Sequence, residues 1–207
     1  MDIIKTLAEE LGISQHRAES AVKLLDDGNT VPFIARYRKE VTGGLDDTVL
    51  RELCDRLVYL RNLEDKKAEV KRLIDAQGLL TDEISAAIDA AATVTEVDDI
   101  YRPFRPKRRT RASIAKERGL EPLAQLILEM RPSYDPAIEA AAESFVDAEK
   151  GVESTADAIS GARDIIAEAV SDNADYRKEV RRLTQRFGTV SSKKIGEGDS
   201  VYEQYYD

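Results

Sequence analysis

Apolar positions along the chain recur at helical spacing and are punctuated by Gly and Pro. Ile3, Ile4, Leu7, Ala8 and Leu11 follow an i, i+3, i+4, i+7 pattern that Gly12 interrupts, which predicts a first helix from Asp2 to about Leu11. Ser14 is placed to cap a second helix through Ala18, Ala21, Val22 and Leu25, ending near Gly28. Two short helices across a Leu-Gly-Ile-Ser turn suggest a helix-turn-helix or a ubiquitin-associated-like hairpin, a pattern that often serves packing alone. Thr30 and Pro32 open a short helix carrying Phe33, Ile34, Arg36, Tyr37, Arg38 and Lys39, closed by Gly43 and Gly44.

Asp46 then caps the longest periodic run: Val49, Leu50, Leu53, Leu57, Val58, Leu60, Leu63, Val70, Leu73 and Ile74, stopping at Gly78. Some thirty residues at 1.5 Å each span roughly 45 Å, more than a compact domain needs. Its middle, Glu64 to Glu69, is almost wholly polar, which predicts a helix bridging two packed clusters through solvent. Further helices are predicted from Thr81 to Ala92, Thr95 to Tyr101, Arg111 to Arg118, Glu121 to Met130, Pro136 to Val146, Thr155 to Val170 and Asp175 to Phe187. After Gly188 the pattern dissolves into Thr189 to Asp207, a linker or an edge strand ending in Tyr202, Tyr205 and Tyr206. The expected fold class is all-α: a multi-helix region with a helix-turn-helix-like hairpin and one long bridging helix. It divides into a hairpin and signature loop (1–45), a helical domain (46–188) and a linker (189–207).

Composition agrees with that reading. Charged residues make up 34% of the 207 residues and aromatics only 6%, with no Trp, a balance suited to helices with broad solvated faces rather than to sheets. The acidic N-terminus lacks a signal peptide's basic start, and no run approaches a membrane span. One cysteine, Cys54, cannot form an internal disulfide, so a reducing cytoplasm is expected, with no membrane partner.

Charge is distributed unevenly. Residues 102–118 hold eight Lys or Arg against one acid, Glu117, a local charge of +7 that leaves −16 on the rest of a chain whose net charge is −9. Pro103 and Pro106 are expected to keep the backbone extended, so that Arg105, Lys107, Arg108, Arg109 and Arg111 project from a stiff loop before and at the start of a helix capped by Thr110. Such a loop can track a phosphate backbone, with Arg36, Arg38 and Lys39 as helpers and Tyr101 and Phe104 as base-stacking or anchoring groups. The competing reading is that the acidic remainder absorbs the same cations in intramolecular ion pairs.

Catalytic chemistry is poorly supplied. The single histidine, His16, has no second His or Cys at ligand spacing, and Cys54 lies on an apolar face and reads as a small hydrophobe. Asp26-Asp27, Asp46-Asp47 and Asp98-Asp99 each sit at a helix end, where acids have structural roles, and no Walker-type or dinucleotide loop exists. No enzyme activity, metal or cofactor is expected.

Thr30-Val-Pro-Phe-Ile-Ala-Arg-Tyr-Arg-Lys-Glu-Val-Thr-Gly-Gly-Leu45, Pro106-Lys-Arg-Arg-Thr-Arg-Ala-Ser-Ile-Ala-Lys-Glu-Arg-Gly-Leu-Glu-Pro-Leu-Ala124 and Gly161-Ala-Arg-Asp-Ile-Ile-Ala-Glu168 resemble, in this order, signature blocks of the Tex transcription accessory family. The resemblance covers nearly all of the chain. It implies a cytoplasmic bacterial protein related to the eukaryotic suppressor-of-Ty elongation factors. In that family a helical N-terminal region precedes an RNase-H-like domain, a helix-hairpin-helix pair and an OB-fold domain that carries much of the nucleic-acid binding. This chain stops about where the RNase-H-like domain is expected, so it reads as a fragment. Arg102 and Phe104 replace an expected Leu and Tyr. Two functions remain open: a monomeric, non-catalytic binder of RNA or DNA, with the transcription machinery as a further candidate partner, or a scaffold that positions later domains.

Overall fold

A computed structural model describes residues 2–129, 137–193, 198–199 and 201–205. Its described residues form helices, short 3-10 turns and loops, with one isolated antiparallel bridge, Asp147 to Val152, and no strand. The all-α expectation holds. The chain divides into two compact units, Met1–Tyr101 and Arg102–Asp207, so the expected break at 45/46 falls inside the first. The reason is that the long helix buries its N-terminal half against the three helices before it.

In the first unit, α1 (Ile3–Leu11), α2 (Gln15–Asp26), α3 (Val31–Tyr37) and α4 (Asp47–Asp75) share one core. Three of them start on side-chain caps: Asp2 accepts from Lys5 N at 3.0 Å, Ser14 from Arg17 N at 3.4 Å and Asp46 from Val49 N at 2.9 Å. Each cap satisfies an orphan amide and is worth about 1 kcal/mol. Leu7, Ala18, Ala21, Ile34 and Leu45 pack with Leu50, Leu53, Leu57 and Leu60 of α4. At roughly 1.5–3 kcal/mol per fully buried aliphatic side chain, this cluster is the main source of the unit's stability. Arg56 meets Glu10 through two bonds of 2.6 and 2.7 Å, and Arg61 meets Asp26 through two of 2.8 Å. These pairs are half exposed and add under about 1 kcal/mol each, fixing the angle of the hairpin on α4 more than its stability.

The C-terminal half of α4 packs on α5 (Asp82–Ala90) and α6 (Val94–Tyr101), where Val70, Ile74, Ile88 and Val97 are fully buried. Its 29 residues give a length of about 44 Å. The middle differs from the expectation of a solvent crossing. Leu63, Lys67 and Val70 continue the buried stripe, and Lys67 is only 3% exposed. Its ammonium donates to the carbonyl of Asp89 at 3.0 Å and meets Glu64 Oε1 at 3.0 Å. A long lysine stem fills the apolar position while its head finds one carbonyl acceptor and one carboxylate ion-pair partner, which periodicity alone cannot reveal.

In the second unit, α7 (Arg111–Glu117), α8 (Glu121–Glu129) and α9 (Ala137–Glu143) surround α10 (Thr155–Asp172), and α11 (Ala174–Phe187) follows it. The expected helix ends at Met130 and Pro136 lie outside the described residues. The core is built from small side chains, Ala112, Ala115, Ala124, Ala142, Ala158 and Ala162, keyed by Leu120, Leu123, Val152 and Ile165. Gly161 belongs to that close approach: a Cβ there would lie 2.4 Å from Leu120 Cδ1 and 3.3 Å from Ala115 Cβ. Pro103 lies in a 3-10 turn, Arg102–Phe104, instead of extended backbone, since its fixed φ suits either. Residues 106–110 then run without regular structure to Thr110, which forms a reciprocal capping box with Ser113. Thr189–Lys193 has neither helix nor strand, and Tyr202 and Tyr205 are exposed; Ile195 and Tyr206 lie outside the described residues.

Replacing Lys67 separates its stem from its head. Lys67→Met keeps the stem's volume but removes the ammonium from Asp89 and Glu64 and is expected to cost about 1–3 kcal/mol, whereas Lys67→Ala removes the same head and also leaves a void, which is expected to cost about 2–4 kcal/mol more. Urea unfolding followed by circular dichroism checks the order of the two.

Candidate nucleic-acid interface

The basic segment docks on one face of α10. Asp164, Glu168 and Asp172 recur every four residues and therefore line a single helical edge. Arg102 Nε donates to Asp172 Oδ1 at 2.8 Å, while the Lys107 ammonium bonds Asp172 Oδ2 and lies 3.1 Å from Glu168 Oε1. Thr110 Oγ1 also donates to Glu168, at 2.9 Å, so the residue that starts α7 is tied to α10 as well. Arg111 reaches Asp164 at 3.3 Å with its side chain 86% exposed, and Arg109 pairs with Glu117 at 3.2 Å with both side chains in solvent.

The five cations proposed for the loop therefore separate. Lys107 is committed to two carboxylates. Arg109 and Arg111 hold weak, solvent-screened pairs. Arg108 is exposed and has no hydrogen bond or ion pair to a described residue. Arg105 and Arg108 line an open groove of about 500 Å³ with Arg102, Lys107 and Arg111 on its basic side and Asp164, Glu168 and Asp172 on its acidic side. Phe104 is half-buried in this unit, and Tyr101 is buried in the first.

Arg36, Arg38 and Lys39 belong to the first unit and are all exposed. Arg38 lies over the Phe33 ring at 5.3 Å and Arg36 over Tyr37 at 6.0 Å. The turn that follows is held from a distance: Arg17 of α2 donates to the carbonyls of Thr42 at 3.2 Å and Gly43 at 2.6 Å. Gly43 has φ of +64° and the Arg17 side chain packs where a Cβ would stand, so no other residue fits there without strain. Sequence reasoning did not pick out Arg17 or the α10 acids. The four-residue spacing of the acids was a usable signal; nothing local marked Arg17.

Among the described residues no three of His, Cys, Asp and Glu gather as a metal site. His16 is exposed and Cys54 is half-buried. The paired aspartates have structural work: Asp26 pairs with Arg61, Asp46 caps α4, and Asp47 pairs with Arg51 at 2.7 Å. No described helix is long and apolar enough to cross a membrane.

Burial works to raise the pKa of Asp172, but hydrogen bonds from Lys107 and Arg102 outweigh it and hold the carboxyl below its ordinary value. Burial likewise works to lower that of Lys107, and its two carboxylate partners hold it above the ordinary lysine value. A depressed carboxyl adds stability that is complete above its unfolded pKa of about 3.9 and is lost as pH falls through the folded value. A raised lysine adds stability that is complete below about 10.4 and is lost as pH rises through the folded value. The cluster is thus at full strength between roughly pH 5 and pH 9. Asp172→Asn is expected to cost about 1–3 kcal/mol at neutral pH and to flatten the acid limb of the stability curve, as urea midpoints measured across pH would record.

Comparison with known proteins gives this arrangement a context. Residues 1–75 match the Tex-like protein N-terminal domain, and residues 131–207 match the Tex central region-like family. The transcriptional accessory protein Tex of Neisseria gonorrhoeae is 47% identical over 100% of this chain and 27% of its own length. Protein tex of Bordetella pertussis is 48% identical over 93% of this chain and 24% of its own. The human S1 RNA-binding domain-containing protein 1 is 29% identical over 96% of this chain and 20% of its own. The chain spans about a quarter of the length of the bacterial relatives it matches. With both regions matched in order and bacterial Tex proteins nearly half identical along its length, the chain belongs to the Tex family.

Proposed function

We propose that this chain is the N-terminal helical region of a transcription accessory protein and binds RNA or DNA without catalysis, through phosphate contacts of the Arg105–Arg111 loop. The observation that carries the reading is that Arg108 is exposed without a partner among the described residues, beside Arg109 and Arg111, whose pairs are open to solvent. Phosphate contacts of this kind position a strand without reading its sequence. The names of the relatives support it: one is a transcriptional accessory protein, and another is named for an RNA-binding domain. The non-catalytic part rests on the supply of groups, since one exposed histidine and one half-buried cysteine assemble no nucleophile and base. A cytoplasmic monomer that also meets the transcription machinery completes the proposal.

A scaffold role is the second reading, and one observation favours it. Arg102 and Lys107 are spent on Asp172 and Glu168, so part of the basic segment holds the unit together and does not face a ligand. The two readings assign different cations, which makes them separable.

Changing Arg108, Arg109 and Arg111 together to Gln leaves the Lys107 cluster intact. Under the binding reading, affinity for short oligonucleotides falls and the log-log salt slope shrinks by about 2 to 3, with folding nearly unchanged. Equal affinity and slope for the triple variant and its parent at low salt, with both folded, would remove the loop from the binding surface.

A further inference from the structure

A second group of cations lies outside the basic loop, at the end of α3. Arg36, Arg38 and Lys39 are exposed, and among the described residues none of them forms an ion pair. They flank two aromatic side chains that a purely structural helix would bury. Phe33 is 37% and Tyr37 55% exposed, one helical turn apart on α3, with ring centroids 5.3 Å apart and planes inclined by 47°. The acids nearest in the adjoining groove are already engaged, Asp46 as the cap of α4 and Asp47 with Arg51.

The platform is also rigid. Ile34, between the two rings in sequence, is fully buried in the core of the first unit. Thr42, likewise fully buried, donates to the carbonyls of Arg38 and Lys39 at 3.3 Å each, and Arg17 clamps the same turn. Two exposed rings, two guanidinium planes and an ammonium on a fixed backbone are the elements by which proteins hold unpaired bases: π faces for stacking, cations for the intervening phosphates. A duplex keeps its bases stacked inside and offers such a surface only its backbone.

We infer that Phe33 and Tyr37 form a stacking platform for the bases of single-stranded nucleic acid, with Arg36, Arg38 and Lys39 on its phosphates. This rests on the nucleic-acid reading above and adds to it a second surface and a strandedness.

The sequence contains no Trp, so Tyr37→Trp in the 207-residue chain places its one tryptophan at the platform, and excitation beyond the tyrosine band reads that group alone. Oligo(dT) and oligo(U) twelve-mers are expected to quench its emission, and an abasic twelve-mer of equal charge is expected to leave it nearly unchanged. Tyr37→Ala, at an exposed position and checked for folding by circular dichroism, is expected to weaken oligo(dT) binding roughly fivefold or more while altering abasic binding less than about twofold. Equal affinity of parent and Tyr37→Ala for oligo(dT), or equal quenching by base-bearing and abasic strands, overturns the platform while leaving phosphate binding standing. Absence of binding by any strand at low salt overturns both. Quenching by an acidic peptide but not by oligo(dT) overturns the platform and makes α3 a protein-docking face.

Discussion

A carboxylate withdrawn from water has to be met by cations, and at the C-terminal end of α10 that requirement organises the basic segment. Asp172 is the last residue of the helix, where the helix dipole is itself negative, so its charge is doubly unfavourable without a partner. Arg102 and Lys107 answer from the two ends of a six-residue stretch, which pins the turn at Pro103 between them. Thr110 follows onto Glu168, and α7 starts where that contact places it. The path from Arg102 to α7 thus follows the acidic edge of one helix.

That dependence changes what local charge means. Eight cations in seventeen residues look like a phosphate-binding tract, yet the structure sorts them by partner geometry. Lys107 lies between two carboxylates, Arg111 reaches out on an almost fully exposed stem, and Arg108 meets none. A formal count treats these as equal. Desolvation and distance do not, because a half-buried pair resists exchange while an exposed one is screened by salt.

Much of the fold was legible because capping and periodicity are local. Asp2, Ser14, Asp46, Thr81, Thr110 and Ser154 each cap the helix that the pattern predicted. The misreadings concern contacts between residues distant in sequence. Lys67 looked like solvent surface because its acceptor on Asp89 lies 22 residues away. The division of the chain at Tyr101 was hidden for the same reason: only packing shows which neighbours the long helix keeps. At the candidate site the basic residues were visible by type, while their sorting needed the α10 edge some 60 residues further on. Phe33 and Tyr37 were visible as aromatics, but exposure is a property of the packed unit.

The Arg17 clamp has a kinetic meaning. The turn after α3 has three backbone bonds of its own, Val41 and Thr42 to Arg38 and Gly44 to Lys39, too few to persist alone. Its carbonyls are held by a side chain 25 residues earlier, on a helix that is itself fixed by the core. Loosening the turn therefore costs the two Arg17 bonds as well as its own. Amides of Thr42 and Gly44 are therefore expected to exchange with solvent more slowly than those of an irregular surface turn of this length held by its own bonds alone.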